Sequence, residues 1–211
     1  MKSFEHNYLF DTPLSHALLM AVRSLGEFRG RQILYSEQSP EILETLRRVA
    51  MVQSTESSNR IEGITVAAGR LEALVVKKAT PKDRSEQEVA GYRDVLTTIH
   101  ANYHKLRLST DLIRNWHRTM YRFTNEAGGE WKTKDNSILE VLPDGRQVVR
   151  FQPVSSVGTP RFMERLVALF NHALEEGKTD PLLLIASFIF DFECVHPFMD
   201  GKGRMGRLLT L

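Results

Sequence analysis

Five side chains that handle protons or phosphate stand within twelve residues of this 211-residue chain. They are His196, Asp200, Lys202, Arg204 and Arg207, in the stretch HPFMDGKGRMGR. Gly201, Gly203 and Gly206 lie among them with the spacing G-x-G-x-x-G of a dinucleotide-binding turn. That reading needs flanking strands and an acidic residue about 20 positions on, none of which the sequence supplies. A Walker-type loop needs Ser or Thr after Gly-Lys, and Lys202 is followed by Gly203. The physical content outlives both readings. Glycines at the junction of two helices let backbone N–H groups converge, and the second helix adds the positive end of its dipole, which together make an anion cradle. Arg204 and Arg207, three apart, are expected to project from one side of that helix towards the cradle. Two guanidinium forks beside such a nest suit a di- or triphosphate. Asp200 at the rim is a natural magnesium ligand, because magnesium is commonly held by one or two carboxylates plus substrate phosphates. His196 is the nearby group suited to proton abstraction close to neutrality.

The remaining composition narrows the class. With 28 Lys+Arg against 26 Asp+Glu the formal net charge is +2, and no long basic block occurs, so direct nucleic-acid binding is not expected. A single cysteine, Cys194, excludes an intramolecular disulfide framework and a multi-cysteine metal site. It reads as a small buried apolar residue rather than as a thiolate paired with His196. His100 and His104, four apart, lack a third metal ligand and read as a wet helix face. The N-terminal MKSFEHNYLFDTPL lacks the pattern of a secretory signal. The longest apolar run, Pro181 to Phe190, is too short for a bilayer, so no membrane association and a cytoplasmic location are expected.

Most of the chain reads as helix. Ser39-Pro40-Glu41 combines a capping serine, proline at the first helical position and an acid in the first turn. Ile42, Leu43, Leu46, Val49 and Ala50 then follow at helical spacing as an apolar stripe, and Gly63 supplies a stop. SEQEVAGYRDVLTTIHANYHKL carries a second stripe of Val89, Tyr92, Val95, Leu96 and Ile99. A third helix opens at Ser109-Thr110-Asp111 with Leu112, Ile113, Trp116 and Met120. A fourth opens at Thr159-Pro160 with Phe162, Met163, Leu166, Val167 and Phe170 on its buried side. Asp180-Pro181 starts the most apolar one, expected at the centre of the protein. ILEVLPDGRQVVRF breaks the pattern: β-branched runs flank Pro143-Asp144-Gly145, which predicts a lone hairpin. Such a hairpin is either a harmless excursion or a docking edge for an extended peptide. GRMGRLLTL is still helical and apolar at Leu211, as expected if the last helix is cut within a longer protein or needs a partner.

HPFMDGKGRMGR resembles the signature of the Fic family, H-P-F-x-[D/E]-G-N-G-R-x-x-R, at eight of its nine specified positions. SNRIEG, from Ser58 to Gly63, resembles that family's inhibitory-helix pattern [S/T]-x-x-x-E-[G/N]. SEQEVAGYRDVL and the Asp111 to Tyr121 stretch resemble its core helices, and GGEWK, from Gly128 to Lys132, the lead-in to its flap. The resemblance implies an all-α fold, a Fic-type helical bundle with a β-hairpin flap over the active site. Residues 1–65 would be an N-terminal helical region with the inhibitory helix and residues 66–211 the Fic core. The implied activity is AMP transfer from ATP, with magnesium, to a hydroxyl of a target protein. In that scheme His196 is the general base, Phe198 anchors the loop and Asp200 holds magnesium. Gly201, Lys202, Gly203, Arg204 and Arg207 bind the nucleotide, and the two arginines grip the β- and γ-phosphates. Glu62, with Ser58, inhibits in cis by pairing with Arg207. The target docks along Ile138, Leu139, Glu140 and Val141 of the flap. Family members often form dimers that modulate inhibition, so a homodimer is compatible with the resemblance, and some continue into a C-terminal winged helix.

Lys202 is the departure, standing where the family usually has asparagine. A lysine adds charge on a flexible stem and cannot keep the fixed geometry of an amide donor. It keeps two alternatives open: a Fic transferase using another nucleotide or phospho-donor, and a catalytically weak nucleotide-binding regulator.

Overall fold

The computed structural model describes residues 3–5, 8–11, 13–38 and 40–211. Its elements are α1 (Tyr8–Asp11), α2 (His16–Gln38), α3 (Pro40–Ile61), α4 (Ala68–Val75), α5 (Arg84–Asn102), a 3₁₀ turn (Tyr103–Lys105), α6 (Thr110–Met120), β1 (Ile138–Val141), β2 (Gln147–Phe151), α7 (Thr159–Glu176), α8 (Pro181–Val195) and α9 (Lys202–Leu209). The fold is all-α with one antiparallel hairpin, β1–β2.

Helix starts follow local capping chemistry. Asp83 caps α5 by accepting from the Glu86 N–H at 2.9 Å, two residues ahead of the serine that opens the apolar pattern. Ser109 caps α6 and Asp180 caps α8, accepting from the N–H groups of Leu112 and Leu182. The predicted Ser39 cap lies outside the described residues. In α7 the cap position is Gly158, and Thr159 is already the first helical residue. α3 stops at Gly63, whose φ of +77° a β-carbon would resist.

The main core is built by α5 to α9. Tyr92, Val95, Leu96 and Ile99 of α5 meet Ile113, Trp116 and Met120 of α6, Met163 and Leu166 of α7, Phe188 and Phe192 of α8, and Met205 and Leu208 of α9. A smaller cluster joins Leu71, Leu74 and Val75 of α4 to Val89 of α5 and Met51 and Val52 of α3.

Three packing expectations are corrected. The stripe over the first half of α3 is not buried: Ile42, Leu46 and Val49 are exposed, as is Ala50, and Leu43 is only half-buried. α2 borders that half, where Phe28 and Tyr35 line a shared groove with Ile42 and Leu46. α3 buries polar residues instead, Thr55, Ser58 and Asn59, in its last two turns. Phe162 of α7 is exposed. α8 is a helix that joins the core by one face only: Leu184, Phe188, Phe192 and Val195 are buried, whereas Phe190 is 65% exposed and borders a groove shared with Leu9, Leu14 and Leu18. Among the described residues no helix is long and apolar enough to cross a membrane.

Candidate functional site

The site forms where α8 ends and α9 begins. Val195 closes α8, and His196 takes the left-handed conformation, φ +54° and ψ 59°, with its N–H still bonded to the Phe192 carbonyl at 2.9 Å. A non-glycine residue in that region costs of order 1 kcal/mol or more and persists only where its surroundings hold it. They do so from three sides. Phe198 is fully buried and stacks on the His117 ring at 3.8 Å, with planes 4° apart. Lys132, 3% exposed, donates from Nζ to the Val195 carbonyl at 3.0 Å and to Asn136 Oδ1 at 2.8 Å, while its backbone N–H bonds the Pro197 carbonyl. Burial, with the Lys202 charge, pushes the Lys132 ammonium below its ordinary range. His117 spans the loop from below: Gly129 N–H donates to its Nδ1 at 2.8 Å, which leaves Nε2–H to donate to the Asp200 carbonyl at 3.0 Å.

That wiring requires a neutral imidazole. Burial, joined by the Arg204 charge and only partly opposed by the Asp200 carbonyl bond, depresses His117 from 6.5 to about 4. Since the folded protein resists this proton and the unfolded chain accepts it near 6.5, the stability it supports is fully present above pH 6.5. It is lost as pH falls towards 4, by about 3 kcal/mol. Urea unfolding of wild type and His117→Phe at pH 7.5 and pH 4 checks this: the stability gap between them should close by about that amount. A gap independent of pH would contradict it.

The rim and cradle follow. Asp200 Oδ1 accepts from the Gly201 N–H at 2.7 Å. Burial opposes ionisation of this carboxyl, but the Gly201 and Tyr121 hydrogen bonds and the charges of Arg204 and Lys202 outweigh it and hold the group below its usual range. Gly201 has φ +68°, and a β-carbon there would fall 2.6 Å from Met120 Cε and 2.7 Å from the Tyr121 hydroxyl. α9 starts at Lys202, whose Nζ lies 3.4 Å from the Met199 carbonyl. The first N–H groups of any helix lack intrahelical acceptors. Over this first turn lies the Glu62 carboxylate, with Oε1 2.6 Å from where a Gly203 β-carbon would sit.

The two arginines part company. Arg207 stays at the surface, where NH2 bonds Glu62 Oε1 at 2.6 Å and the Ser58 carbonyl at 3.0 Å, and Nε bonds Ser58 Oγ at 2.8 Å. Arg204 is 2% exposed and turned inward: NH1 pairs with Glu88 Oε2 at 2.7 Å and reaches Asn59 Oδ1 at 3.4 Å, and NH2 donates to the Tyr121 hydroxyl at 3.0 Å. The expectation that both arginines face the cradle is therefore corrected. Glu88 gives Arg204 a buried counter-charge that the cradle side does not.

The hairpin is rooted beside His196. Asn136 sits within 3.5 Å of the His196 carbonyl, and Gln152 donates to the Asn136 carbonyl at 3.0 Å, so both strands leave from this point. Ile138, Leu139, Glu140 and Val141 of β1 are all exposed. The Gly145 turn has φ +83°. Cys194 is half-buried, its thiol pushed up by burial. Among the described residues no cluster of three His, Cys, Asp or Glu could hold a metal by itself. Sequence reasoning missed Asn59, Glu88, His117, Tyr121, Lys132 and Asn136 as parts of the site. All of these but Asn136 lie in the stretches that resemble the family, which marked the stretches and not these side chains.

The Fic/DOC family profile matches residues 107–211. A Fido domain-containing protein of Dictyostelium discoideum is 38% identical over 56 residues, a stretch that covers 25% of this chain and 39% of that protein. The structure is similar to a Fic domain containing signaling protein from Bacteroides thetaiotaomicron (TM-score 0.71, 27% identity, 85% of this chain and 69% of that one). It is also similar in fold to a Fic family protein from Desulfovibrio desulfuricans (TM-score 0.70, 22% identity, 94% and 57%). A third likeness in fold is to Fic-1 from C. elegans (TM-score 0.63, 24% identity, 96% and 62%). The chain thus spans less than two thirds of the last two and of the Dictyostelium relative.

Proposed function

This chain belongs to the Fic/DOC family through residues 107–211, and on that footing we propose that it is a protein adenylyltransferase held inactive in cis. The observation that carries the proposal is the Glu62 carboxylate, seated over the first turn of α9 and bonded to Arg207 at 2.6 Å. An anion already occupies the place where the cradle and its exposed guanidinium would receive one.

In the reaction, ATP lies with its terminal phosphates over the start of α9, gripped by Arg207 once Glu62 has withdrawn. The target chain lies along β1 and presents a hydroxyl to His196. Its oxygen bonds the α-phosphorus, the bond from that phosphorus to the β-phosphate bridging oxygen breaks, and pyrophosphate leaves with the electron pair. His196 takes the hydroxyl proton. Arg204 acts from behind, holding Tyr121 and through it the Asp200 carboxylate. Asp200 fits a magnesium site by its chemistry, an ionised, solvent-facing hard oxygen donor at the rim of an anion cradle. Bound there with the nucleotide, magnesium would neutralise phosphate charge. Charge stabilisation and positioning account for most of the acceleration in such transfers.

The test compares wild type, Glu62→Gly and His196→Ala incubated with labelled ATP and magnesium. Labelling should rise in Glu62→Gly and be absent in His196→Ala. Equal labelling of the two variants would end the proposal.

A second reading, transfer from another nucleotide or phospho-donor, is favoured by Lys202. Its amine is bound only weakly, to a carbonyl at 3.4 Å, and is free to turn to a phosphate. A part-exposed ion pair is worth about 1 kcal/mol, so Lys202→Asn should weaken triphosphate binding by about fivefold. Calorimetry on the Glu62→Gly background with ATP, GTP, CTP and UTP reads this, and unchanged affinities would remove Lys202 from phosphate recognition.

A further inference from the structure

His196 Nδ1 is fully buried and has no hydrogen-bond partner among the described residues. Leaving a buried polar atom unpaired costs about 1–3 kcal/mol, so an orphan on the proposed base calls for an explanation. The nearest carboxylate is that of Glu193, with Oε2 at 3.6 Å from Nδ1. This is just beyond a hydrogen bond and within a small rotation of either side chain. Glu193 lies one turn earlier on α8, so its side chain shares the face on which the helix delivers His196.

The opposite wall fits the same carboxylate. Glu193 Oε1 lies 2.6 Å from where a β-carbon on Gly206 would sit, closer than any real contact. α9 therefore presents bare backbone where Glu193 needs room, and the carboxylate is wedged between the end of α8 and the middle of α9. The other charged groups on the elements around His196 are already engaged or point elsewhere. Lys132 bonds Val195 and Asn136, Asp200 bonds Gly201, Lys202 bonds Met199, and Arg207 is taken by Ser58 and Glu62. Asp191, also on α8, is buried against Ser3.

We propose that Glu193 is a positioning residue that accepts the Nδ1–H of His196, fixing the ring so that the Nε2 lone pair faces the substrate hydroxyl. The proton balance follows. The hydroxyl proton passes to Nε2, the imidazolium so formed keeps its Nδ1–H on the Glu193 carboxylate, and the negative charge of Glu193 offsets the charge gained. The proton leaves to solvent after pyrophosphate departs. A carboxylate behind a base imidazole sets both tautomer and orientation.

This inference rests on His196 being the base, and its test separates the two. Nitrogen NMR of histidine-labelled protein without nucleotide, with His196 assigned by its loss in His196→Gln, reports the tautomer directly. Wild type should show the neutral ring protonated at Nδ1. In Glu193→Gln the population of that tautomer should fall, because a neutral amide accepts more weakly than a carboxylate. Gly206→Ala, which displaces the same carboxylate from the α9 side, should move it the same way and guards against a misfolded first variant. On the Glu62→Gly background, Glu193→Gln should lower the labelling rate while leaving triphosphate affinity unchanged. An unchanged tautomer in both variants would overturn the role of Glu193. Absence of labelling in Glu62→Gly, with the NMR shifts present, would overturn the transferase reading alone.

Discussion

Replacing Glu62 with glycine is expected to raise nucleotide-dependent self-labelling by about ten- to a hundredfold. The estimate comes from the contact removed. Glu62 holds Arg207 through a charge-assisted hydrogen bond at 2.6 Å, at a position about one third exposed. Hydrogen bonds to charged groups contribute about 1.5–3 kcal/mol, and each 1.4 kcal/mol is tenfold in a population. The gain should appear in both triphosphate affinity and transfer rate, because the same guanidinium that binds the terminal phosphate also stabilises the departing pyrophosphate. Ser58 is the internal comparison. Ser58→Ala removes one hydrogen bond to Arg207 Nε but leaves the Ser58 carbonyl and Glu62 contacts in place, so it should activate far less than Glu62→Gly. Equal activation by both would place the restraint on the helix as a whole rather than on the Glu62 charge.

Replacing Glu88 with alanine is expected to destabilise the protein by about 3–5 kcal/mol, the usual cost of stranding one member of a buried ion pair. Arg204 and Glu88 have side chains 2% and 6% exposed and lie 2.7 Å apart. Without Glu88 the guanidinium keeps Tyr121 and Asn59 but no counter-charge. For a chain of this length the loss is on the order of 10 °C in Tm. Urea unfolding at neutral pH measures it, and the paired change Glu88→Met with Arg204→Met should recover much of the stability, since a well-packed apolar pair often replaces a buried ion pair without loss. Nucleotide binding should not recover with it, because Arg204 also supports Tyr121 and, through it, Asp200. A destabilisation below about 1 kcal/mol for Glu88→Ala would mean that water reaches this pair.

What the sequence revealed divides along a physical line. The cradle was legible because its parts are local: His196 to Arg207 is one helix end, one loop and one helix start. The Glu62 to Arg207 contact joins residues 145 positions apart, and no periodicity reports a partner that far away; only the family-like pattern suggested it. The inward turn of Arg204 was misread because residues three apart are not superimposed on a helix. They differ by about 60° around the axis, enough for α9 to send Arg204 to Glu88 and Arg207 to the surface. The apolar stripe of α3 misled for another reason: periodicity shows that a helix has an apolar face, not what covers it. The buried face of α3 is polar, Ser58 and Asn59, because it meets the arginines of α9. Similarly, Glu193 reads in sequence only as an acid ending an apolar run, and its place between His196 and Gly206 appears only once α8 and α9 are packed.

The most direct measurement is intact-mass spectrometry of the Glu62→Gly protein after incubation with ATP and magnesium, beside wild type and the Glu62→Gly/His196→Ala double variant. Cis-inhibited AMP transfer predicts a mass gain of one AMP group in Glu62→Gly, little in wild type and none in the double variant. No mass gain in Glu62→Gly despite magnesium-dependent ATP binding, or a gain matching a different transferred group, would contradict it.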